Sequence, residues 1–268
     1  VKEDAQKIRQ QMKSQAERRE ALADSLSKVS DQIDDTEQLD LENATLNDVR
    51  QNEQKLNNNI ASLIMGLDAA TNEFGTHFDS MKQKTLGERF VGVFSKQRSA
   101  EMRAKRISEA DINSNLQDLI SQSNQVINSL SEQKAVLTEQ IEKGKINLKK
   151  TLEERNATIN EYEKVKQALL ELDPEIMAME ARLAEETDMA KRTDIETDLH
   201  DLNMKHNELK NQEQTLLVQS QTLERYVELN QTNVDSLANQ ESAQMTLIEK
   251  LKTDTDQRVV LYEQFQHS

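Results

Sequence analysis

The chain is predicted to be all-α, with long antiparallel helices that pair in coiled-coil hairpins and form an elongated bundle. Charged residues make up 31% and aromatic residues 3% of its 268 residues, and it contains one Pro and five Gly. Apolar residues recur at alternating spacings of three and four, which is the heptad pattern. This regular spacing argues against disorder, the competing interpretation for a chain this polar. Helices with such narrow apolar stripes must pair in order to bury them.

An N-terminal helical arm is predicted over residues 1–74. Its first heptad seam places Gln15 and Arg19 among apolar positions. Asp34-Asp35 and Asn43-Ala44-Thr45 then offer helix-stop and N-cap chemistry, so residues 34–45 are predicted to form a turn, with a coiled-coil stutter as the alternative. A second helix is predicted over residues 46–74, and Gly75 suits its C-terminal cap. The apolar members of the two seams are Ile8, Met12, Leu22, Leu26, Val29, Ile33, Leu46, Val49, Leu56, Ile60, Leu63, Leu67 and Phe74.

A basic aromatic connector is predicted over residues 75–107. The stretch 74–106 holds four of the five Phe and three of the five Gly. Its eight Lys or Arg and three Asp or Glu give it a net charge of +5, whereas the whole chain carries −15. The connector therefore interrupts an otherwise acidic, aromatic-poor helical protein.

A long coiled-coil hairpin region is predicted over residues 108–268. Residues 108–172 are consistent with one helix about 95 Å long. Its seam contains Ser123, Gln133, Gly144 and Arg155 among residues such as Leu130 and Ile159, and polar seam positions of this kind specify register and partner. Gly144 also marks a possible bend or close helix approach.

The only Pro predicts the hairpin turn. Pro174 disfavours a helical residue before it and suits the first turn of a new helix, with Asp173 as N-cap. Thr187-Asp188 and Thr193-Asp194 are further candidate starts. The final helix carries a seam that includes Ile195, Leu199, Leu202, His206, Leu209, Leu216, Leu223, Val227, Val234, Leu237, Ile248 and Leu251.

The connector contains the candidate docking site. Leu86, Phe90, Val93 and Phe94 lie at i, i+4, i+7 and i+8, on one face of a short helix with Lys and Arg around it, which is typical of a segment that binds anionic lipid. The alternatives are a hydrophobic plug at a bundle end, the more common use of a short amphipathic stretch, and a basic patch for an anionic ligand. The candidate docking residues are Leu86, Arg89, Phe90, Val93, Phe94, Lys96 and Arg98.

No catalytic, cofactor or metal site is expected. The chain has no Cys, so thiol chemistry and thiolate metal ligands are excluded, and it has no phosphate loop, dinucleotide fingerprint or nucleophile motif. His77 with Asp79 and Glu196 with His200 do not make a ligand set, and His206 on the seam is interpreted as a hydrogen-bonded structural histidine. Paired carboxylates are interpreted as solvated surface charges. The acidic net charge argues against nucleic-acid binding, and no apolar run is long enough for a transmembrane helix.

The chain also resembles the bacterial toxic-anion-resistance family, which is named for tellurite resistance. The resemblance rests on LGERFVGVFSK (residues 86–96), DINSNLQDLISQSNQVINSL (residues 111–130), LDPEIMAMEARLAEE (residues 172–186) and the Gln/Asn-rich helix over residues 198–237, where Asn230 and Asn233 fall. It covers about the last two-thirds of the chain. It implies a stress-response or envelope-associated role and transfers no catalytic residue.

The expected function is therefore a non-enzymatic, elongated coiled-coil scaffold in a bacterial stress response, docking to membrane or partner through the connector. The alternative is a cytoskeletal filament protein without a resistance role, and a ligand-binding bundle is the least favoured class. The expected partners are a second copy or another coiled-coil protein, with peripheral contact to anionic membrane. No cofactor, nucleic acid or small-molecule substrate is expected. The expected location is cytoplasmic, including the inner face of the membrane.

Overall fold

The chain folds into long α-helices in a computed structural model that describes residues 2–28, 36–82 and 112–267. Over these residues the helices are α1 (Lys2–Leu26), α2 (Thr36–Lys82), α3 (Ile112–Glu185) and α4 (Met189–Gln266), and no strand is present. The predicted all-α class is confirmed. Residues 108–172 were predicted as one helix, and α3 continues that helix to Glu185.

The chain divides into two compact units. Unit 1 comprises Val1–Ala21, Leu46–Ile141 and Asp235–Ser268, and unit 2 comprises Leu22–Thr45 and Glu142–Val234. Each helix contributes one segment to each unit, so each unit is built from parts of all four described helices.

In unit 1 the four helix segments alternate in direction. Gln11 of α1 pairs with Asn59 of α2, and Arg19 pairs with Glu53, so α1 and α2 are antiparallel. In the same way, α3 and α4 are antiparallel, because Ser123 meets Arg258 whereas Gln133 meets Gln244. Contacts from Arg9 to Gln125 and from Gln133 to the carbonyl of Met12 show that α1 and α3 are parallel. This is the up-down-up-down order of a four-helix bundle.

Most of the core of unit 1 is the heptad seam that the sequence predicts, and Ala5, Ile64 and Ile127 join it from positions outside that seam. Burial of these aliphatic side chains supplies the main stabilisation, at about 25 cal/mol for each Å² of apolar surface removed from water. The principal cluster is Ala5, Ile8, Met12, Leu56, Ile60, Leu63, Ile64, Leu67, Val126, Ile127, Leu130, Ile248 and Leu251.

In unit 2 the end of α1 and the start of α2 pack on α3 and α4. Asn147 donates to the carbonyl of Ala23 at 3.3 Å, and Arg225 pairs with Asp40 at 2.6 Å. Leu39 is fully buried in the same region.

The rest of unit 2 is a two-helix hairpin, residues 156–223, which we call the arm. It begins at the Arg155–Glu224 ion pair of 2.8 Å and ends at the turn Glu186–Asp188. Asp173 and His206 face each other at 3.1 Å halfway along it, which establishes the antiparallel register. Its shielded positions follow spacings of three and four, as in an antiparallel coiled coil. They include Tyr162, Val165, Leu169, Leu172, Ile176, Met179 and Leu183 on α3, and Ile195, Leu199, Leu202, His206, Leu209, Leu216 and Leu223 on α4.

The turn at the tip of the arm is held by side chains. Asp188 Oδ1 accepts hydrogen bonds from the backbone amides of Ala190 and Lys191 at 2.9 and 3.4 Å, which makes Asp188 the N-cap of α4. Arg192 donates to the carbonyls of Leu183 and Glu186 at the end of α3. The candidate start at Thr187-Asp188 is confirmed, whereas Thr193 lies inside α4.

The predicted break at Pro174 is wrong. Pro174 lies inside α3, and the hairpin turn comes at Glu186–Asp188. The seam explains the difference, because Leu172 and Ile176 on either side of Pro174 both pack against α4. Packing of a continuous stripe outweighs the cost of about 3 kcal/mol for one helical Pro.

Two further boundary predictions are also wrong. Asn43 and Thr45 lie within α2, where their side chains donate to the carbonyls of Leu39 and Leu41. Gly75 does not end α2, which continues to Lys82. Asp34 and Asp35 lie outside the described residues. One seam position also differs, because Ile159 is 39% exposed whereas Thr158 is half-buried.

Candidate functional site

The most elaborate polar cluster in unit 1 surrounds Arg258, which is 1% exposed. Its guanidinium donates to Asp68 at 2.7 Å, to Thr71 at 2.8 Å and to Ser123 at 3.2 Å, so one α4 side chain contacts α2 and α3 together. Burial lowers the pKa of Arg258, while Asp68 and Asp254 oppose that shift. Because Arg258 donates to partners on both α2 and α3, the cluster is suited to holding these two helices and α4 in register.

Arg258 is a functional residue that was not predicted from the sequence. It lies seven residues after Leu251, one heptad further along the same seam, and extending the apolar list by one heptad would have found it. Ser123 was identified as a polar seam position, and the structure shows it to be a partner of Arg258.

A second buried ion pair joins three helices of unit 1. Arg19 of α1, which is 4% exposed, pairs with Glu53 of α2 and donates to Ser236 Oγ of α4 at 3.0 Å. Desolvation raises the pKa of Glu53, against the opposing effect of Arg19. Replacing either partner of such a desolvated pair alone destabilises the fold, because the remaining buried charge is left uncompensated.

Glutamines occupy further buried positions in the seam of unit 1. Gln244 is fully buried, and its amide donates to Gln133 Oε1 at 2.8 Å. Gln140 is 3% exposed, and both of its amide atoms are without a hydrogen-bond partner among the described residues. The seam thus contains both satisfied and unsatisfied polar positions.

The predicted docking residues belong to the connector. Leu86, Arg89, Phe90, Val93, Phe94, Lys96 and Arg98 all lie outside the described residues. Phe74, at the edge of the same stretch, is half-buried in α2. Docking through this connector therefore stays a prediction.

The histidines are consistent with surface and structural positions where they can be seen. His206 contacts Asp173, as expected for a hydrogen-bonded histidine on the seam. Glu196 and His200 are both exposed, and Glu196 lies 3.8 Å from Arg192. Within residues 2–28, 36–82 and 112–267, no three His, Asp or Glu side chains converge as a metal site would require.

The outer side of α3 in the arm carries an exposed apolar stripe. Leu170 is 60% exposed and Met177 is 69% exposed. Pro174, Ala181 and Ala184 are also exposed and share the same side of the helix, because their spacings from Leu170 onward are four, three, four and three. This stripe lies away from the seam that packs on α4.

Elsewhere the described surface offers open grooves between neighbouring helices. One groove in unit 1 lies between α3 and α4 and is lined by residues that include Lys134, Thr138, Met245 and Lys252. None of the described helices is apolar over a length that would cross a bilayer.

Comparisons with known proteins found no match: no family model, no curated protein and no solved structure matches this chain.

Proposed function

We propose that this protein is a non-enzymatic helical scaffold whose arm presents a surface to partner proteins. The observation that carries the proposal is the arm itself. From the Arg155–Glu224 pair to the turn at Glu186–Asp188, α3 and α4 pair through one seam, and their outward faces are exposed. A long surface of this kind suits contact with another helix better than enclosure of a small molecule.

The polar residues of unit 1 support the same proposal. Arg258 and Arg19, the charged groups most buried in that unit, are used to join helices to one another. Buried ionic groups in helical bundles specify register, and a rigid register is what a scaffold requires.

The cellular setting of the proposal comes from the resemblance to the toxic-anion-resistance family. We propose a bacterial stress-response role in the cytoplasm, with peripheral contact at the inner membrane through residues 86–98. A liposome flotation assay tests that contact. The intact chain should float with anionic vesicles, and a variant with Phe90→Glu and Phe94→Glu should not. Equal failure of both chains to float would remove the membrane part of the proposal.

Shortening the arm tests the scaffold role. Deleting residues 165–178 and 201–214 removes two heptads from each helix and keeps both seams in phase, because the deleted stretches face each other in the register defined by Asp173 and His206. The arm becomes about 21 Å shorter. Both the full-length and the shortened chain should be helical and melt cooperatively.

The two chains are compared in a strain that lacks the gene, grown on potassium tellurite. We expect the full-length chain to restore growth and the shortened chain to fail. Full restoration by the shortened chain would contradict the scaffold role of the arm. A deletion strain as resistant as its parent would instead remove the resistance role, and the cytoskeletal alternative would then be tested by sedimentation for assemblies that persist without lipid or partner.

A further inference from the structure

We propose that the exposed stripe of α3, formed by Leu170, Pro174, Met177, Ala181 and Ala184, binds a basic amphipathic helix of a partner protein. This inference rests on the proposed function, since it names the chemical class of partner that the arm takes.

The stripe has the spacing of a second coiled-coil seam. Its steps of four, three, four and three residues follow the same rule as the seam between α3 and α4, but on the other side of α3. An incoming helix would place its apolar side chains between Leu170 and Met177, which are 60% and 69% exposed. Apolar residues at i, i+3, i+4 and i+7 on the partner fit this face.

The charges beside the stripe define the sign of the charge that the partner helix must carry. Glu171, Asp173 and Glu180 flank it, and Glu185 follows at its C-terminal end. No Lys or Arg occupies the corresponding flanking positions between residues 170 and 184, since Arg182 lies further from the stripe. In a coiled coil the flanking positions select the partner by charge, so Lys and Arg on the incoming helix complement this face.

The same charges disfavour a second copy of this chain. An antiparallel copy that pairs the stripe with itself, with Pro174 facing Met177, places Asp173 near Glu180 of the other copy. Like charges across a helix interface cost binding free energy and act against self-pairing. The acidic flanks therefore select a basic helix.

Two synthetic peptides test the inference. Both have three heptads with Leu at the a and d positions; one has Lys at e and g, and the other has Glu there. Fluorescence anisotropy measures their binding to the full chain at low salt. We expect the Lys peptide to bind at least about tenfold more tightly than the Glu peptide, and we expect its affinity to fall as salt screens the charges.

Variants then locate the binding surface. Leu170→Glu with Met177→Glu should weaken binding of the Lys peptide at least about tenfold, because the introduced charges interrupt the apolar stripe. The matched control is Met204→Glu with Val218→Glu, which changes two exposed apolar residues on α4 and should leave the affinity unchanged. Circular dichroism establishes that both variants remain helical.

Any of three binding results would overturn the inference: no binding of the Lys peptide, equal binding of both peptides, or binding that survives Leu170→Glu with Met177→Glu. If sedimentation shows that the full chain dimerises and this variant is monomeric, a second copy covers the stripe and the basic-helix proposal is wrong. Failure here is distinguishable from failure of the scaffold proposal, because the growth test with the shortened arm does not depend on the partner's charge.

Discussion

Arg258 of α4 donates a hydrogen bond of 2.7 Å to Asp68 of α2, although the two residues lie 190 positions apart in the sequence. The same guanidinium reaches Ser123 of α3. One side chain therefore connects three of the helix segments of unit 1. The register of these segments depends on contacts that only the folded chain can make.

Removal of this guanidinium is expected to destabilise unit 1. Arg258→Ala should lower the free energy of unfolding by about 2–3 kcal/mol, because it opens a cavity and leaves buried acceptors without a donor. This loss of unfolding free energy is at the low end for breaking a buried ion pair. The reason is that the Asp68 side chain is one-third exposed and keeps its ion pair with Lys250 at 3.2 Å. Urea denaturation measures the change.

Two matched variants separate volume from charge at this site. Arg258→Met keeps most of the volume but still leaves the acceptors without the guanidinium, so it should cost about 1–2 kcal/mol, less than Arg258→Ala. Lys250→Met removes a half-exposed cation and should cost at most about 1 kcal/mol. If Lys250→Met costs as much as Arg258→Ala, then the stabilisation does not come from the buried guanidinium.

The raised pKa of Glu53 predicts a pH dependence. Burial raises that pKa above its ordinary value of 4.5, so the folded state holds the proton more tightly than the unfolded state. This contribution to stability is present below about pH 4.5 and is lost as pH rises through the folded-state pKa. The unfolding free energy of the wild type relative to Glu53→Gln should therefore increase as pH falls from about 7 towards 4.5. A difference that is constant over this range would contradict the prediction.

Gln140 and Gln244 should respond oppositely to the same substitution. Gln140→Leu replaces a buried amide that has no described partner and should stabilise the chain by about 1 kcal/mol. Gln244→Leu leaves Gln133 without its donor and should destabilise by about 1–2 kcal/mol. Thermal unfolding of the two variants provides the comparison, and a loss of stability in both would show that Gln140 has a partner in solution.

The cap at Asp188 should stabilise the tip of the arm. Asp188→Ala removes the acceptor of the Ala190 and Lys191 amides and should cost about 1 kcal/mol locally, which speeds hydrogen exchange at those amides roughly fivefold. Asp188→Asn keeps an acceptor oxygen and is the control, with exchange close to that of the wild type. Equal acceleration in both variants would assign the effect to charge.

The heptad seam made the helices predictable, but their ends were not. Leu22, Leu56, Leu130 and Leu237 occur at periodic positions, and all are buried as the pattern indicates. Pro174 and Gly75 are local signals for a helix end, yet both lie inside helices. Beyond Pro174, the seam residues Ile176, Met179 and Leu183 are shielded against α4. Local chemistry and long-range packing act against each other at Pro174, and the sequence alone does not show which of them prevails.

The polar network was only partly predictable. Arg19 and Ser123 interrupt the seam visibly, so their burial could be expected. Their partners could not be named, because Glu53, Ser236 and Arg258 are brought to them by helix register rather than by sequence spacing. The directions of the helices are likewise read from these contacts.

The closing contacts of unit 1 have a consequence for synthesis on the ribosome. Arg258 reaches Thr71 and Asp68 across 187 and 190 positions, so α1, α2 and the first part of α3 emerge long before the α4 segment that completes their bundle. Until then their inward faces are open to water and to other chains. Polar groups on those faces, such as Asp68, Thr71 and Ser123, reduce the tendency of the incompletely folded segments to associate with other chains. The same groups later become the partners of Arg258.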